Sequence, residues 1–326
     1  MPEMRHRISR PQAAFIALLL VLLPYLGARP LFIRWQIDGH DARYDAIRLA
    51  QLDKCVRDGQ FSARWLPDLA NGYGCPLFNF YSPFLYQVAE AFHLSGLSLV
   101  SSIKAVYALG FLASSLAMFL FGRELWGPFG GLLSAALYVL VPYRFVDIYV
   151  RSAFLEFFAL SYPPLIFWAA LRYAKTRRVR YLLAATLSHA LLILTHAISA
   201  MLFTPLILLY YLLLSVLYRR RSPVTCHLSP SFRLPPSAHT PIRPHAHTLI
   251  PLLASFALSL ALTAFFWLPA LAEKRYIHSD EMTRGVLDYA HHFVAPWQLF
   301  STRWGFGLSV AGSQDAMSFQ IGPLHL

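Results

Sequence analysis

Charge is what this sequence has least of. Charged residues fill 13% of its 326 positions, about half the share usual in soluble domains. Hydrophobic residues make up 57% and mean hydropathy is +0.48, which excludes an ordinary soluble domain. The three cysteines, Cys55, Cys75 and Cys226, form no pair spaced for zinc, and no Walker loop or dinucleotide fingerprint occurs, so nucleotide-driven transport and zinc chemistry lack support. A pI near 9.8 does not imply nucleic acid, because the cations flank hydrophobic runs instead of forming one patch.

Long apolar runs are what the sequence does have. Ala13–Ile33, Val100–Phe121, Phe129–Val146, Ala153–Tyr173 and Leu249–Leu271 meet or approach the ~20 residues that cross a bilayer as a helix. Tyr181–Tyr218 would extend about 57 Å as a single helix and reads instead as two spans turning near Thr195–Ser199. The expectation is an all-α polytopic membrane protein of about seven transmembrane helices. Its parts are a basic tail (1–12), a first helix (13–33), a large loop (34–95), helices two to six (96–221), a proline-rich disordered loop (222–247), a seventh helix (248–271) and a carboxyl-terminal segment (272–326).

The basic residues set the expected orientation. With a cytoplasmic amino terminus, the inner segments hold Arg5, Arg7, Arg10, Arg123, the cations of 172–180 and those of 219–243, opposed only by Glu3 and Glu124. The whole formal charge of +12 then lies on one side, as the positive-inside rule requires. Leu26-Gly27-Ala28 before Arg29-Pro30 is a poor cleavage site, so the first span reads as an uncleaved anchor.

The loop after that span carries six aspartates, Asp38, Asp41, Asp45, Asp53, Asp58 and Asp68, in a chain otherwise poor in acids. Leu49, Leu52 and Val56, with Gly59 as terminator, predict a helix over Ala42–Asp58. Ser82-Pro83 can start a second, in which Gln87, Glu90 and His93 oppose Leu85, Val88 and Phe92. Two amphipathic helices resting on lipid and a binding groove are both open readings, and they are compatible. Arg144, Asp147 and Arg151 share one helical face, with Glu156 following; mutual neutralisation at the interface is the simpler reading, ligand binding the other. His189 and His196, without a nearby carboxylate, read as packed histidines sooner than metal ligands, and His291-His292 is taken the same way. A Cys55–Cys75 bridge is allowed by compartment but not shown by spacing.

A first span leading into an acidic loop with surface helices resembles the C-type glycosyltransferases, multi-span enzymes that take sugars from polyprenyl-phosphate carriers. Their aminoarabinose and mannosyl members open this loop with Asp-Glu-x-Arg-Tyr; here His40-Asp41-Ala42-Arg43-Tyr44 matches at Arg43, Tyr44 and the second acid, Asp41, while His40 replaces the first acid. The chain is also similar to bacterial membrane proteins labelled "6-pyruvoyl-tetrahydropterin synthase-related". That likeness rests on Gly59-Gln60, Arg64-Trp65-Leu66-Pro67-Asp68, Gly72-Tyr73-Gly74, Pro76-Leu77-Phe78, Phe80-Tyr81-Ser82-Pro83, Asp147, Tyr149, Arg151, Glu156 and the run from Met317 to Gly322. The resemblance covers most of the chain outside 222–247 and implies a bacterial inner-membrane location, a polyprenyl-phosphate-linked sugar as donor and a cell-envelope acceptor on the outer face. Related enzymes have more spans, so the ending Phe319–Leu326 reads like the approach to another span and a truncated form is expected.

Inverting transfer needs a carboxylate to take the acceptor's proton, a role that suits Asp41, with Asp38 the next candidate. Arg43, Arg64 or Arg151 can hold the phosphate. His40, Tyr44, Trp65, Asp68, Asp147 and Glu156 complete the candidate binding set. No cofactor is certain; Asp38 and Asp41 together could coordinate a divalent cation, and the metal is left open. The competing classes are a transporter or lipid flippase and a non-catalytic assembly protein. Transporters place ionisable groups at mid-membrane, whereas these spans hold little beyond Lys104, His189 and His196, which favours surface chemistry.

Overall fold

The computed structural model describes residues 9–33, 38–218, 248–278, 284–285, 288–323 and 325. The expected basic tail before Ser9 and the loop 222–247, with the cations of 219–243, lie outside the described residues. Among the described residues the architecture is all-helical, and the only β-pairings are two isolated bridges, Leu66–Cys75 and Phe306–Met317.

Helix α1 (Arg10–Ile33) leads through the acidic turn to α2 (Ala42–Arg57), then α3 (Leu77–Phe80) and α4 (Phe84–Leu94). Helix α5 (Leu99–Leu140) is a hairpin. At Gly127 the backbone takes φ 77° and ψ −176°, a conformation open to glycine, and Pro128 follows. A Cβ on Gly122 would lie 3.1 Å from the Cα of Gly131, which a continuous helix forbids. The arms 99–126 and 128–140 therefore run antiparallel. After α6 (Pro142–Val146), a π-helical turn at Asp147–Arg151 ends at Ser152 in the left-handed region and leads into α7 (Phe154–Ala159) and α8 (Tyr162–Thr176).

Helices α9 (Val179–Thr195) and α10 (Ala197–Leu217) meet at His196, whose ring nitrogen accepts from the Ser199 N–H at 3.3 Å and caps α10. The turn falls where the sequence predicts it. His189 is buried and bonded to Ser259 Oγ at 2.6 Å and Thr204 Oγ1 at 3.2 Å, so it stitches α9 to α10 and α11 (Leu249–Leu262). That matches the packed-histidine reading. α12 (Ala264–Glu273) follows α11 after a 64° bend, and the short α13 (Pro296–Phe300) lies in the carboxyl-terminal segment.

Among the described residues four helical stretches, α1, α5, α7–α8 and α10, are long and apolar enough to cross a membrane, or five if the bent α11–α12 pair is one span. The expectation of about seven differs for two physical reasons: α5 joins two expected spans in one hairpin, and α9 has 17 residues, short of the ~20 that cross as an upright helix.

Helices α2 and α4 do not rest their apolar faces on lipid. Leu49 and Leu52 of α2 and Leu85, Tyr86 and Ala89 of α4 are fully buried with Ile103, Val106 and Tyr107 of α5 and Phe154 of α7. Each such large side chain removed from water contributes about 1.5–3 kcal/mol. The two ends of the bundle differ in charge. At one, Glu124 pairs with Arg172 at 3.2 Å and Lys175 at 2.8 Å, and Arg177 donates to Thr248 at 2.6 Å. The other carries Asp38, Asp41, Asp45 and Asp147.

Candidate functional site

The acidic turn is fixed by its backbone. The N–H groups of His40 and Asp41 donate to the carbonyls of Val150 and Arg151, each at 3.0 Å, where the π-helical turn ends and leaves carbonyls without helical partners. Gly39 permits this approach, since a Cβ there would stand 1.9 Å from Ser152 Oγ. Asp41 occupies the N-cap position just before α2; its side chain makes no capping bond and is exposed.

Asp38 is exposed and lines a cleft of about 760 Å³. The walls are apolar: Leu31 of α1, Phe145 of α6, Tyr149 of the π-turn, and Trp304 and Phe306 of the carboxyl-terminal segment. That segment is fastened by the His40 ring, whose Nε2 meets the Phe306 carbonyl at 3.0 Å. Asp41 does not line this cleft. Arg43 is exposed and borders a smaller cavity of about 120 Å³. Tyr44 is also exposed, with the Arg48 guanidinium 5.8 Å from its ring centre.

Asp147, Arg151 and Glu156 come together. Arg151 bonds Asp147 and Glu156 at 2.9 Å each and donates to Tyr143 Oη at 3.1 Å, while Tyr143 donates to Glu156. Asp147 is fully buried; burial first, then the charge of Glu156, pushes its carboxyl well above the ordinary range despite Arg151. Arg151 is thus committed to carboxylates, in keeping with the neutralisation reading. Arg144 turns inward instead, donating to the Phe157 carbonyl at 3.0 Å and Ser114 Oγ at 2.9 Å.

The remaining expected binding residues sit apart from the acidic turn. Arg64 donates to the Phe265 carbonyl at 2.8 Å and to Asn79 at 3.2 Å, which ties the loop to α12. Asp68 accepts from Lys54 at 2.7 Å and Gln51 at 2.9 Å, fastening the loop to α2, and its carboxyl is held below the ordinary range by Lys54 first, then Gln51. Trp65 is exposed beside Gly74. Cys55 and Cys75 are both free thiols. Among the described residues no group of three His, Cys, Asp or Glu side chains is placed to hold a metal.

Sequence reasoning missed Asp45. It is buried, accepts from Tyr86 Oη at 2.5 Å and from Arg48 at 3.3 Å, and its Oδ2 has no partner. Burial raises its pKa to about 7 against the lowering by Tyr86 and Arg48, and Asp41 adds to the rise. The available signal was register: Asp45 lies one turn before Leu49 on the apolar face of α2. The docking of Phe306 on His40, 266 residues apart, had no local signal.

Neither models of known protein families nor characterised proteins match this chain.

Proposed function

We propose that this chain is a C-type glycosyltransferase-like membrane protein, moving a sugar from a polyprenyl-phosphate carrier to a cell-envelope acceptor on the outer face. The observation that carries the reading is Asp38 in the apolar cleft beside α1, with Asp41 at the start of the next helix. A long-chain lipid phosphate needs an apolar wall at the membrane boundary with polar groups beside it. Leu31, Phe145, Tyr149 and Trp304 supply that wall. Taking both α5 arms and α9 as spans brings the number to about seven, with the acid-rich end outward and the Arg172–Lys175 end in the cytoplasm, in the sense of the positive-inside rule.

In this reading Asp41 takes the proton of the acceptor hydroxyl as its oxygen attacks the anomeric carbon, and the bond to the lipid phosphate breaks with its electron pair leaving on the phosphate. Arg43, exposed two positions after Asp41, meets the phosphate in this reading. Arg151, occupied by carboxylate partners, holds the acidic turn through its carbonyl instead, and Arg64, tied to the Phe265 carbonyl, stands apart from it. Asp38 and Asp41 are the oxygen donors that a divalent cation would use.

The test is consumption of polyprenyl-phosphate-linked labelled sugar by membranes containing the protein, against membranes lacking it. Gene-dependent transfer to an envelope acceptor is the expected result. Movement of labelled lipid across the bilayer without transfer would put the transporter reading in its place.

A further inference from the structure

The smaller cavity, of about 120 Å³, lies between the first turns of α2 and α5, away from the lining of the large cleft. Two of its lining residues are nearly fully buried and carry a polar atom without a partner: Asp45, 2% exposed, through Oδ2, and Tyr107, 1% exposed, through its hydroxyl. Orphaned buried polar atoms are rare in folded proteins and costly; two in one cavity mark a place meant to be filled. Asp45 Oδ1 is already engaged by Tyr86 and Arg48, so Oδ2 is the atom left for an occupant.

Charge selects the occupant. Arg43 at the rim and Arg48 behind Asp45 oppose a cation, and Asp41, one turn before Asp45, opposes an anion. The rest of the wall includes Val100 and Ile103, with Ser152 Oγ directed to the Ile148 carbonyl at 3.4 Å. A neutral group that can donate and accept, carried on CH, meets all of these demands. The volume corresponds to about four waters at ~30 Å³ each, enough for a hydroxymethyl fragment.

We propose that this cavity is a binding site for a neutral hydroxyl-bearing ligand, a polyol or sugar hydroxymethyl group, held between Asp45 Oδ2 and the Tyr107 hydroxyl. The site stands independently of the sugar-transfer reading.

The experiment uses the full chain, ¹³C-labelled at aspartate carboxyls in detergent micelles, with the Asp45 resonance assigned by its loss in Asp45→Asn. Glycerol is the probe, and trimethylamine N-oxide, an osmolyte without a hydroxyl, is the control. Glycerol should shift the Asp45 resonance saturably, and Tyr107→Phe should weaken that binding about tenfold, the worth of one hydrogen bond. Tyr107→Phe removes only a hydroxyl without a protein partner, so its melting temperature should hold or rise. No saturable shift, which would mean water alone fills the cavity, an equal shift with the osmolyte, or equal glycerol affinity in Tyr107→Phe would each overturn the proposal. No sugar donor is present, so the result does not depend on whether the chain transfers sugars.

Discussion

The Asp41 N–H donates to the Arg151 carbonyl at 3.0 Å, so the acidic turn after the first helix is held by the same residue whose guanidinium bonds Asp147 and Glu156. Two segments separated by more than a hundred positions thereby share one anchor, and disturbing either should move Asp41.

Gly39 is the contact point of that anchor. Gly39→Ala places a methyl group 1.9 Å from Ser152 Oγ and 2.7 Å from its Cβ. A loss of about 1–3 kcal/mol is expected, as for overpacking elsewhere. Adding Ser152→Gly removes that side chain and relieves its φ of 54°, and should restore part of the loss. Thermal unfolding in detergent, with no recovery in the double variant, would show that the turn is not seated on Ser152.

Arg151→Met should leave Glu156, the carboxylate that Arg151 bonds at 2.9 Å, without its ion-pair partner and cost about 3–5 kcal/mol. Pairing it with Glu156→Gln should recover a good part, because the uncompensated charge is gone. Equal stability of the single and double variants, measured by denaturant unfolding, would contradict this account of the cluster.

Asp45 sets a pH dependence. Its folded pKa, about 7, lies above the ordinary 3.8, so the folded state holds a proton that the unfolded chain releases. Its contribution to stability is complete below about pH 4 and is lost as pH rises through about 7. Asp45→Asn should flatten the fall in melting temperature across that window, and the gain over wild type should be larger at pH 8 than at pH 4. An unchanged slope would show that Asp45 ionises normally.

Orientation is open to labelling once Cys55, Cys75 and Cys226 are replaced. A cysteine at Ser62 should react with an impermeant thiol reagent in intact cells or spheroplasts, and one at Arg178 should react only after lysis. The reverse pattern would place the acidic end in the cytoplasm.

What the sequence disclosed was local. The spacing of Leu49, Leu52 and Val56 before Gly59 matches α2, and the excess length of Tyr181–Tyr218 matches the break at His196. Gly127-Pro128 marks the α5 turn between two predicted spans. Asp41 and Asp38 stood out because acids are scarce. Arg64 could not be assigned from sequence: its partner, the Phe265 carbonyl, is 201 positions away and belongs to a bent helix that no local period announces. Amphipathic spacing gave α2 and α4 an apolar face but could not say whether lipid or Ile103, Val106 and Tyr107 would cover it.

The most direct measurement compares sugar transfer from labelled polyprenyl phosphate in membranes holding equal amounts of wild type, Asp41→Asn and Asp53→Asn. Asparagine keeps the shape of the side chain but cannot accept the proton, so Asp41→Asn should lower transfer about 10²–10⁴-fold. Asp53, paired with Arg57 at 2.7 Å on α2, should be nearly silent when replaced, since such exposed pairs are worth only about 0–1 kcal/mol. Near-normal transfer by Asp41→Asn would contradict the assignment of Asp41 as the base.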